Sequence, residues 1–92
     1  MATWPAHRQS VGPRVVLYER DGCHLCEEVA SLLDLELGAA SYERVDIDTD
    51  DDLVVRYGFR VPVVNVDGVD RLEAPMAAAD LRALLGDLGL AR

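Results

Sequence analysis

Two different spacings of apolar side chains follow one another in the first half of the chain. Residues 14–18, Arg-Val-Val-Leu-Tyr, form a short β-branched and aromatic run that Asp21-Gly22 interrupts, so this run predicts a buried strand. Beyond the interruption, apolar side chains recur every three or four residues as far as Gly38, at Cys26, Val29, Leu33 and Leu37. That spacing places them on one face of a helix. The pattern therefore predicts a strand that leads directly into an amphipathic helix.

A second strand and a second helix are expected next. Residues 42–47 suggest a strand, and the acidic residues 48–52 suit the start of a short helix that ends at Gly58, because carboxylates cap a helix N-terminus. Two strands joined by a helix are expected to be parallel, with a right-handed crossover. We expect the aromatic side chains to lie in the core or at its edge, namely Tyr18, Tyr42, Tyr57 and Phe59.

The last third of the chain predicts a hairpin and a final helix. Residues 63–66 and 69–72 flank Asp67-Gly68, a dipeptide typical of a type I′ turn, in which both central residues take positive φ. A helical spacing then predicts the last helix, with Pro75 suited to its first turn, at Leu81, Leu84, Leu85 and Leu88. The element order is therefore β-α-β-α-β-β-α.

Length and charge narrow the function classes. The chain has 92 residues, which is room for one domain, and we assign residues 1–13 to an N-terminal arm and residues 14–92 to the domain. Nine arginines stand against seventeen Asp and Glu residues, for a formal net charge of −8. Because such a surface repels phosphate backbones and anionic headgroups, we expect no nucleic-acid or membrane partner. Basic patches on other proteins suit it better, unless the acidity serves solubility alone.

Cysteine usage and the start of the chain predict a compartment. The start lacks the apolar run of roughly 7 to 15 residues that a secretory leader needs, so we expect a cytoplasmic protein. In a reducing compartment, a close pair such as Cys23 and Cys26 is catalytic, redox-sensing or metal-binding rather than a structural staple. A C-x-x-C pair where a strand becomes a helix, next to a βαβ pattern, is typical of a thioredoxin-like redox motif.

Helix geometry gives the two cysteines different roles. Cys23 follows Gly22 at the predicted helix N-terminus, where unpaired N–H groups and the helix dipole favour a thiolate, the attacking form of cysteine. Cys26 lies one turn later on the same face, within reach of a disulfide but less exposed. We therefore expect Cys23 to attack and Cys26 to resolve. A protonated His24 would stabilise the thiolate and nearby carboxylates would oppose it; alternatively, His24 is a solvated residue without a redox role.

The alternative to dithiol chemistry is a metal or cluster site. A tetrahedral zinc ion needs four ligands, and beyond the two cysteines the chain offers only His7 and His24. Because His7 lies in the arm and the His24 ring, inside the C-x-x-C loop, could not easily share one ion with both sulfurs, we predict no metal site within one chain. An iron-sulfur cluster or metal ion held by the same cysteines in a dimer is the alternative function. Otherwise we expect a monomer. A third interpretation, an interaction module with incidental cysteines, is disfavoured by their position at a helix start.

The segment Leu-Tyr-Glu-Arg-Asp-Gly-Cys-His-Leu-Cys, residues 17–26, resembles the glutaredoxin family, in particular its bacterial glutaredoxin-like branch with a C-H-L-C centre. Val45-Asp46-Ile47-Asp48 and Arg60-Val61-Pro62-Val63 add to the likeness, which covers about residues 14–88. The resemblance implies a thioredoxin-like α/β fold with three layers, α/β/α, and a four-stranded mixed sheet in order 2-1-3-4 with three helices. It also implies a thiol-disulfide oxidoreductase whose Cys23/Cys26 couple exchanges electrons with protein or low-molecular-weight disulfides.

The same resemblance assigns substrate-binding residues. Arg20 stands where glutaredoxins carry a basic residue that assists thiolate and glutathione binding. Val61-Pro62 stands where the superfamily has its cis-proline. The resemblance therefore implies a cis Pro62 that faces the sulfurs, with the Val61 backbone pairing with an extended substrate strand.

One departure from the family concerns the reductant. Typical glutaredoxins have a Gly-Gly pair and an acidic residue after the last strand that help to hold glutathione, whereas residues 72–80 here read Leu-Glu-Ala-Pro-Met-Ala-Ala-Ala-Asp. We therefore expect weak use of glutathione. Either glutathione or a thioredoxin-type system resets the couple, and no bound cofactor is expected.

Overall fold

The computed structural model describes residues 12–90, so residues 1–11 of the predicted arm lie outside the described residues. The elements are β1 Val15–Glu19, α1 His24–Leu37, β2 Glu43–Asp46, α2 Asp51–Tyr57, β3 Val63–Val66, β4 Val69–Glu73 and α3 Ala78–Asp87. Two short 3-10 turns, Ala39–Ser41 and Ile47–Thr49, flank β2. Within residues 12–90 no helix is long and apolar enough to cross a membrane.

The four strands form one mixed sheet. β1 pairs in parallel with β2 and antiparallel with β3, and β3 pairs antiparallel with β4, which gives the order β2-β1-β3-β4. The parallel pair needs a long crossover, which α1 supplies. Asp67 and Gly68 have φ of 53° and 88°, as the predicted hairpin turn requires. The predicted sheet in order 2-1-3-4 with three helices is confirmed.

One side of the sheet, which we call the helix-pair face, is aliphatic and is covered by α1 and α3. Alternate residues of β1 and β3 point to this side, because successive strand side chains alternate between faces. The buried set is Val15, Leu17, Val29, Ala30, Leu33, Val64, Val66, Leu81, Leu84 and Leu85. Burial of each large side chain contributes about 1.5–3 kcal/mol, so this face fixes α1 on the sheet.

The opposite side, which we call the α2 face, is more aromatic and polar. Ile47, Tyr57 and Val63 form its buried cluster, and Tyr18 stacks on Tyr57 with ring centroids 4.5 Å apart. Asn65, which points to the same side as Val63, is buried as well. Helices thus lie on both sides of the sheet, in the predicted three-layer arrangement.

Two predicted boundaries differ from the observed ones. The sequence predicts a strand as far as Ile47, but β2 ends at Asp46, whose carboxylate accepts the Asp48 N–H at 2.9 Å and starts a turn. Pro75, expected in the first turn of the last helix, instead precedes α3 and follows a cis peptide bond. The apolar spacing locates these elements, and in β2 a polar side chain decides where the strand ends.

Candidate redox site

The two cysteines lie where the chain turns from β1 into α1. Gly22, with φ of 75°, makes the turn in a backbone region that favours glycine. Cys23 has extended backbone angles and caps α1: its Sγ accepts the Cys26 N–H at 3.1 Å, and its carbonyl accepts the Glu27 N–H at 3.2 Å. A sulfur atom thus takes the position usually held by an N-cap oxygen. It lies at the end of the helix that favours negative charge.

The two sulfurs differ in exposure. They are joined as a disulfide, with Cα atoms 5.2 Å apart. Cys26 is 0% exposed and packs within the core, whereas Cys23 is only partly buried. A reagent in solution therefore meets Cys23 first, as the helix geometry predicts for residues one turn apart.

The dipeptide between the cysteines points outward. Leu25 is about half exposed, and the His24 Nε2 lies 2.9 Å from a carboxylate oxygen of Glu28 one turn along α1. Both members of that pair are exposed. A protonated His24 would thus be balanced locally by Glu28, which weakens the predicted effect of the imidazolium on the Cys23 sulfur.

Arg20 joins three segments around the cysteines. Its guanidinium donates to Asp48 at 2.8 and 3.1 Å and to the Gly58 carbonyl at 3.3 Å, while its own carbonyl accepts the Cys23 N–H at 3.3 Å. The hydrogen bond and the positive charge of Arg20 lower the pKa of the Asp48 carboxyl. Arg20, which the resemblance assigns to glutathione binding, is therefore paired with the Asp48 carboxylate. It also holds the loop at Gly58 beside the start of α1.

A groove lined in part by residues that flank Cys23 in the chain, which we call the acidic groove, has more carboxylates than cations. It encloses about 210 Å³ and is lined by Glu19, Arg20, Asp21, Glu27, Arg44 and Asp46. The Arg44 guanidinium is itself paired with Glu19 at 2.6 and 2.7 Å and lies 3.5 Å from Glu27. Four carboxylates against two guanidinium groups leave an excess of two negative charges in the lining.

The Val61–Pro62 peptide bond is cis, as the resemblance implies, and Pro62 is fully buried. The Val61 N–H donates to the Tyr57 carbonyl at 3.1 Å, and the Pro62 carbonyl accepts the Ala74 N–H at 3.1 Å. Among residues 12–90, no backbone N–H donates to the Val61 carbonyl. Val61 was expected to pair with a substrate strand. Its carbonyl is free to accept a hydrogen bond, whereas its N–H is already used within the protein.

The family of the chain follows from its sequence. Residues 14–86 match the family described as Glutaredoxin-like domain (DUF836). The chain belongs to this family. The resemblance noted in residues 17–26 is confirmed, and this glutaredoxin-like chain matches no curated protein.

Solved structures resemble the glutaredoxin-like chain. A crystal structure of target protein XcR50 from X. campestris is 40% identical, covers 79% of this chain and 96% of its own, and has a TM-score of 0.65. The solution structure of Ne2328 from Nitrosomonas europaea is 26% identical, covers 79% and 91%, and has a TM-score of 0.60. A mutant thioredoxin from Halobacterium salinarum, 20% identical over 84% and 74%, has a TM-score of 0.61. The fold is therefore thioredoxin-like, and a C-x-x-C pair in disulfide contact on it supports thiol redox chemistry.

Sequence reasoning missed parts of this glutaredoxin-like site. Phe59, expected at the core, is fully exposed. Asp48, expected to begin a helix, instead holds Arg20 across 28 positions of the chain. The Arg20–Asp48 pair has no local pattern that could have revealed it, because it depends on the tertiary fold.

Among residues 12–90, no three His, Cys, Asp or Glu side chains form a group suited to a metal ion.

Proposed function

We propose that this protein is a thiol-disulfide oxidoreductase that exchanges electrons with protein or low-molecular-weight disulfides through Cys23 and Cys26. The observation that carries the proposal is the unequal pair at the start of α1, a partly exposed Cys23 sulfur that caps the helix and a fully buried Cys26 bonded to it. A helix N-terminus favours the thiolate over the thiol. The partly exposed Cys23 can therefore attack a partner disulfide first, and the buried Cys26 reacts only in the second step.

The exchange balances in two steps. The Cys23 thiolate forms a bond to one sulfur of the partner disulfide, and the other partner sulfur leaves as a thiolate. Cys26 then attacks the Cys23 sulfur and expels the second partner thiolate, which takes up the Cys26 proton. The partner has then gained two electrons and the protein holds the disulfide. A dithiol, or two thiols in succession, must reduce it again.

The remaining site residues have binding and positioning roles in this proposal. The Val61 carbonyl is free to accept a hydrogen bond from an extended substrate backbone, and the buried Pro62 fixes the loop that presents it. Arg20 acts mainly as a positioning residue, since its guanidinium links Asp48 to the Gly58 carbonyl. Direct contact between Arg20 and a substrate stays a prediction.

The reductant follows from which thiol can reach the couple. Weak use of glutathione is expected because the Gly-Gly feature is absent and the acidic groove repels an anionic tripeptide. A thioredoxin-type dithiol is the stronger candidate, in a reducing compartment such as the cytoplasm and with the protein as a monomer. Offering the oxidised protein each reductant in turn and titrating its free thiols decides between them.

Two serine variants test the proposed function. After incubation with hydroxyethyl disulfide, Cys26→Ser should accumulate a mixed disulfide on Cys23, because nothing expels the bound partner, and Cys23→Ser should trap nothing. Mass spectrometry of the intact protein measures both. Equal trapping, or trapping through Cys26 alone, would overturn the roles. A coloured, iron-containing protein after anaerobic purification would instead favour the cluster alternative.

A further inference from the structure

Phe59 is an exposed aromatic side chain in a fixed loop. Its side chain is fully solvent-exposed, in the segment that joins α2 to β3. The backbone on its C-terminal side is held in place, because the N–H groups of Arg60 and Val61 both donate to the Tyr57 carbonyl at 2.8 and 3.1 Å. An exposed aromatic ring on a hydrogen-bonded backbone is available for contact with another molecule.

Arg20 links the loop that carries Phe59 to the redox site. Arg20 donates to the carbonyl of Gly58, the residue before Phe59, and accepts the N–H of Cys23 on its own carbonyl. One residue therefore ties the Phe59 loop to the cap of α1. Leu25, between the cysteines and about half exposed, adds apolar surface on the α1 side of this link.

Arg20 also lines the acidic groove. Glu27 is four residues after Cys23 on α1 and therefore lies one turn along the same side of the helix. Both guanidinium groups of the groove are already paired, Arg20 with Asp48 and Arg44 with Glu19. A cationic group entering the groove meets its excess of carboxylates, and an anionic group meets the same charges as a barrier.

We propose that the redox site selects disulfides of protein segments that carry a lysine or arginine and an apolar side chain, the cation in the acidic groove and the apolar group on Phe59. This rests on the proposed function and names its substrate class. Charge complementarity argues for a cationic partner over glutathione, which is an anion. The exposed ring argues for a protein segment over a small thiol, because a segment carries a charged and an apolar side chain on the same backbone.

The first experiment varies charge in small disulfides of similar size. The reduced protein is mixed separately with cystamine, hydroxyethyl disulfide and dithiodipropionate, which are cationic, neutral and anionic. Each rate of disulfide reduction is divided by the rate at which free dithiothreitol reduces the same disulfide. We expect the order cation, neutral, anion, with about a tenfold span at low salt that shrinks at high salt. Glu27→Gln should reduce the span about twofold, and the control Asp87→Asn, an exposed carboxylate at the end of α3, should not.

The second experiment tests the ring. Two cationic peptide disulfides are compared that differ only in a leucine or a serine next to the cysteine. Phe59→Ala should slow reduction of the leucine peptide about threefold to tenfold and leave the serine peptide unchanged. Leu35→Ala, an exposed residue twelve positions beyond Cys23, is the matched control.

The outcomes separate the two proposals. If hydroxyethyl disulfide is reduced but charge and leucine have no effect, the substrate class is wrong and the proposed function stands. If dithiodipropionate is the best small disulfide, the acidic groove does not select cations and the inference is overturned. If the protein reduces none of the disulfides, the proposed function itself fails.

Discussion

The two faces of the sheet hold the chain together by different means. The helix-pair face is built from aliphatic side chains of the strands, α1 and α3. The α2 face instead carries the Tyr18–Tyr57 stack and a polar network centred on Asp70. The cysteines lie at the start of α1, which the helix-pair face anchors, whereas the loop with Phe59 and Pro62 connects to the α2 face. The position of the sulfurs and the surroundings they meet are thus set by opposite sides of the sheet.

The polar network of the α2 face is satisfied by mutual hydrogen bonds. Asp70 accepts from the Tyr57 hydroxyl and the Asn65 amide, both at 2.9 Å, and from Arg60 at 3.2 Å. Asn65 in turn accepts the Gly68 N–H at 3.0 Å in the hairpin turn. Removing one member leaves others without a partner, which is a different kind of damage from an apolar cavity.

The largest expected loss of stability comes from a substitution in the helix-pair face. Leu33→Ala removes a fully buried α1 side chain and should lower the free energy of unfolding by about 2–5 kcal/mol, through lost burial and the cavity left behind. Urea denaturation measures this. Leu35→Ala, on the exposed side of the same helix, should stay within about 0.5 kcal/mol. Similar losses in both variants would show that helix propensity, rather than packing on the sheet, holds α1.

A smaller loss is expected from the polar network. Asp70→Ala leaves the buried Asn65 amide and the Tyr57 hydroxyl without their acceptor and should lower the free energy of unfolding by about 1–3 kcal/mol. Asp87→Ala, at the end of α3, is the control for loss of a carboxylate. An Asp70→Ala protein as stable as the control would mean that water satisfies the network.

Acid should weaken the α2 face selectively. Burial alone raises the pKa of Asp70, but the hydrogen bonds from Asn65, Tyr57 and Arg60 outweigh it, so its pKa is lowered. A carboxyl with a lowered folded pKa contributes stability above its unfolded pKa of about 3.9, and that contribution is lost as pH falls through the folded value. Urea midpoints should therefore drop below about pH 4 in the wild type, and drop less in Asp70→Asn. An equal acid response in both proteins would contradict this.

The smallest expected effect concerns the charge of Arg20 near Cys23. Asp48→Asn removes the charge that occupies Arg20 and should leave the guanidinium free to act on anions near Cys23. The ratio of Cys23 alkylation by iodoacetate to that by iodoacetamide should rise about twofold in the reduced protein. Asp87→Asn should not change the ratio. A constant ratio in Asp48→Asn would show that the field of Arg20 does not reach the sulfur.

Local patterns were sufficient for much of the fold. The predicted strand at residues 63–66 matches β3, the first helix ends just before Gly38, and both residues of the Asp67-Gly68 turn have positive φ. These features depend on side chains within a few positions of one another, so a single sequence contains the information. The cysteine positions followed for the same reason, since a helix start fixes both.

The surroundings of the site could not be predicted in the same way. Arg20 and Asp48 meet because β1 and the turn after β2 lie side by side, and Arg20 reaches Gly58 from the other end of α2. Phe59 is apolar, which favours burial in any sequence-based analysis, and only the course of its loop leaves it exposed. The positions of the cysteines were therefore predictable from neighbours in sequence, and the surroundings of the site only from neighbours in space.

The sulfur cap at the start of α1 places folding and reduction in one thermodynamic cycle. Reduction turns the Cys23 sulfur that accepts the Cys26 N–H from a neutral disulfide atom into one that can carry a negative charge, which the helix dipole favours only while α1 is formed. The reduced and oxidised proteins differ in their free energy of unfolding, and the cysteine couple differs in reduction potential between the folded and the unfolded chain. The cycle makes these two differences equal, at about 30 mV per 1.4 kcal/mol. A substitution that weakens α1 equally in both states leaves the potential unchanged. One that alters the cap must change stability and potential together.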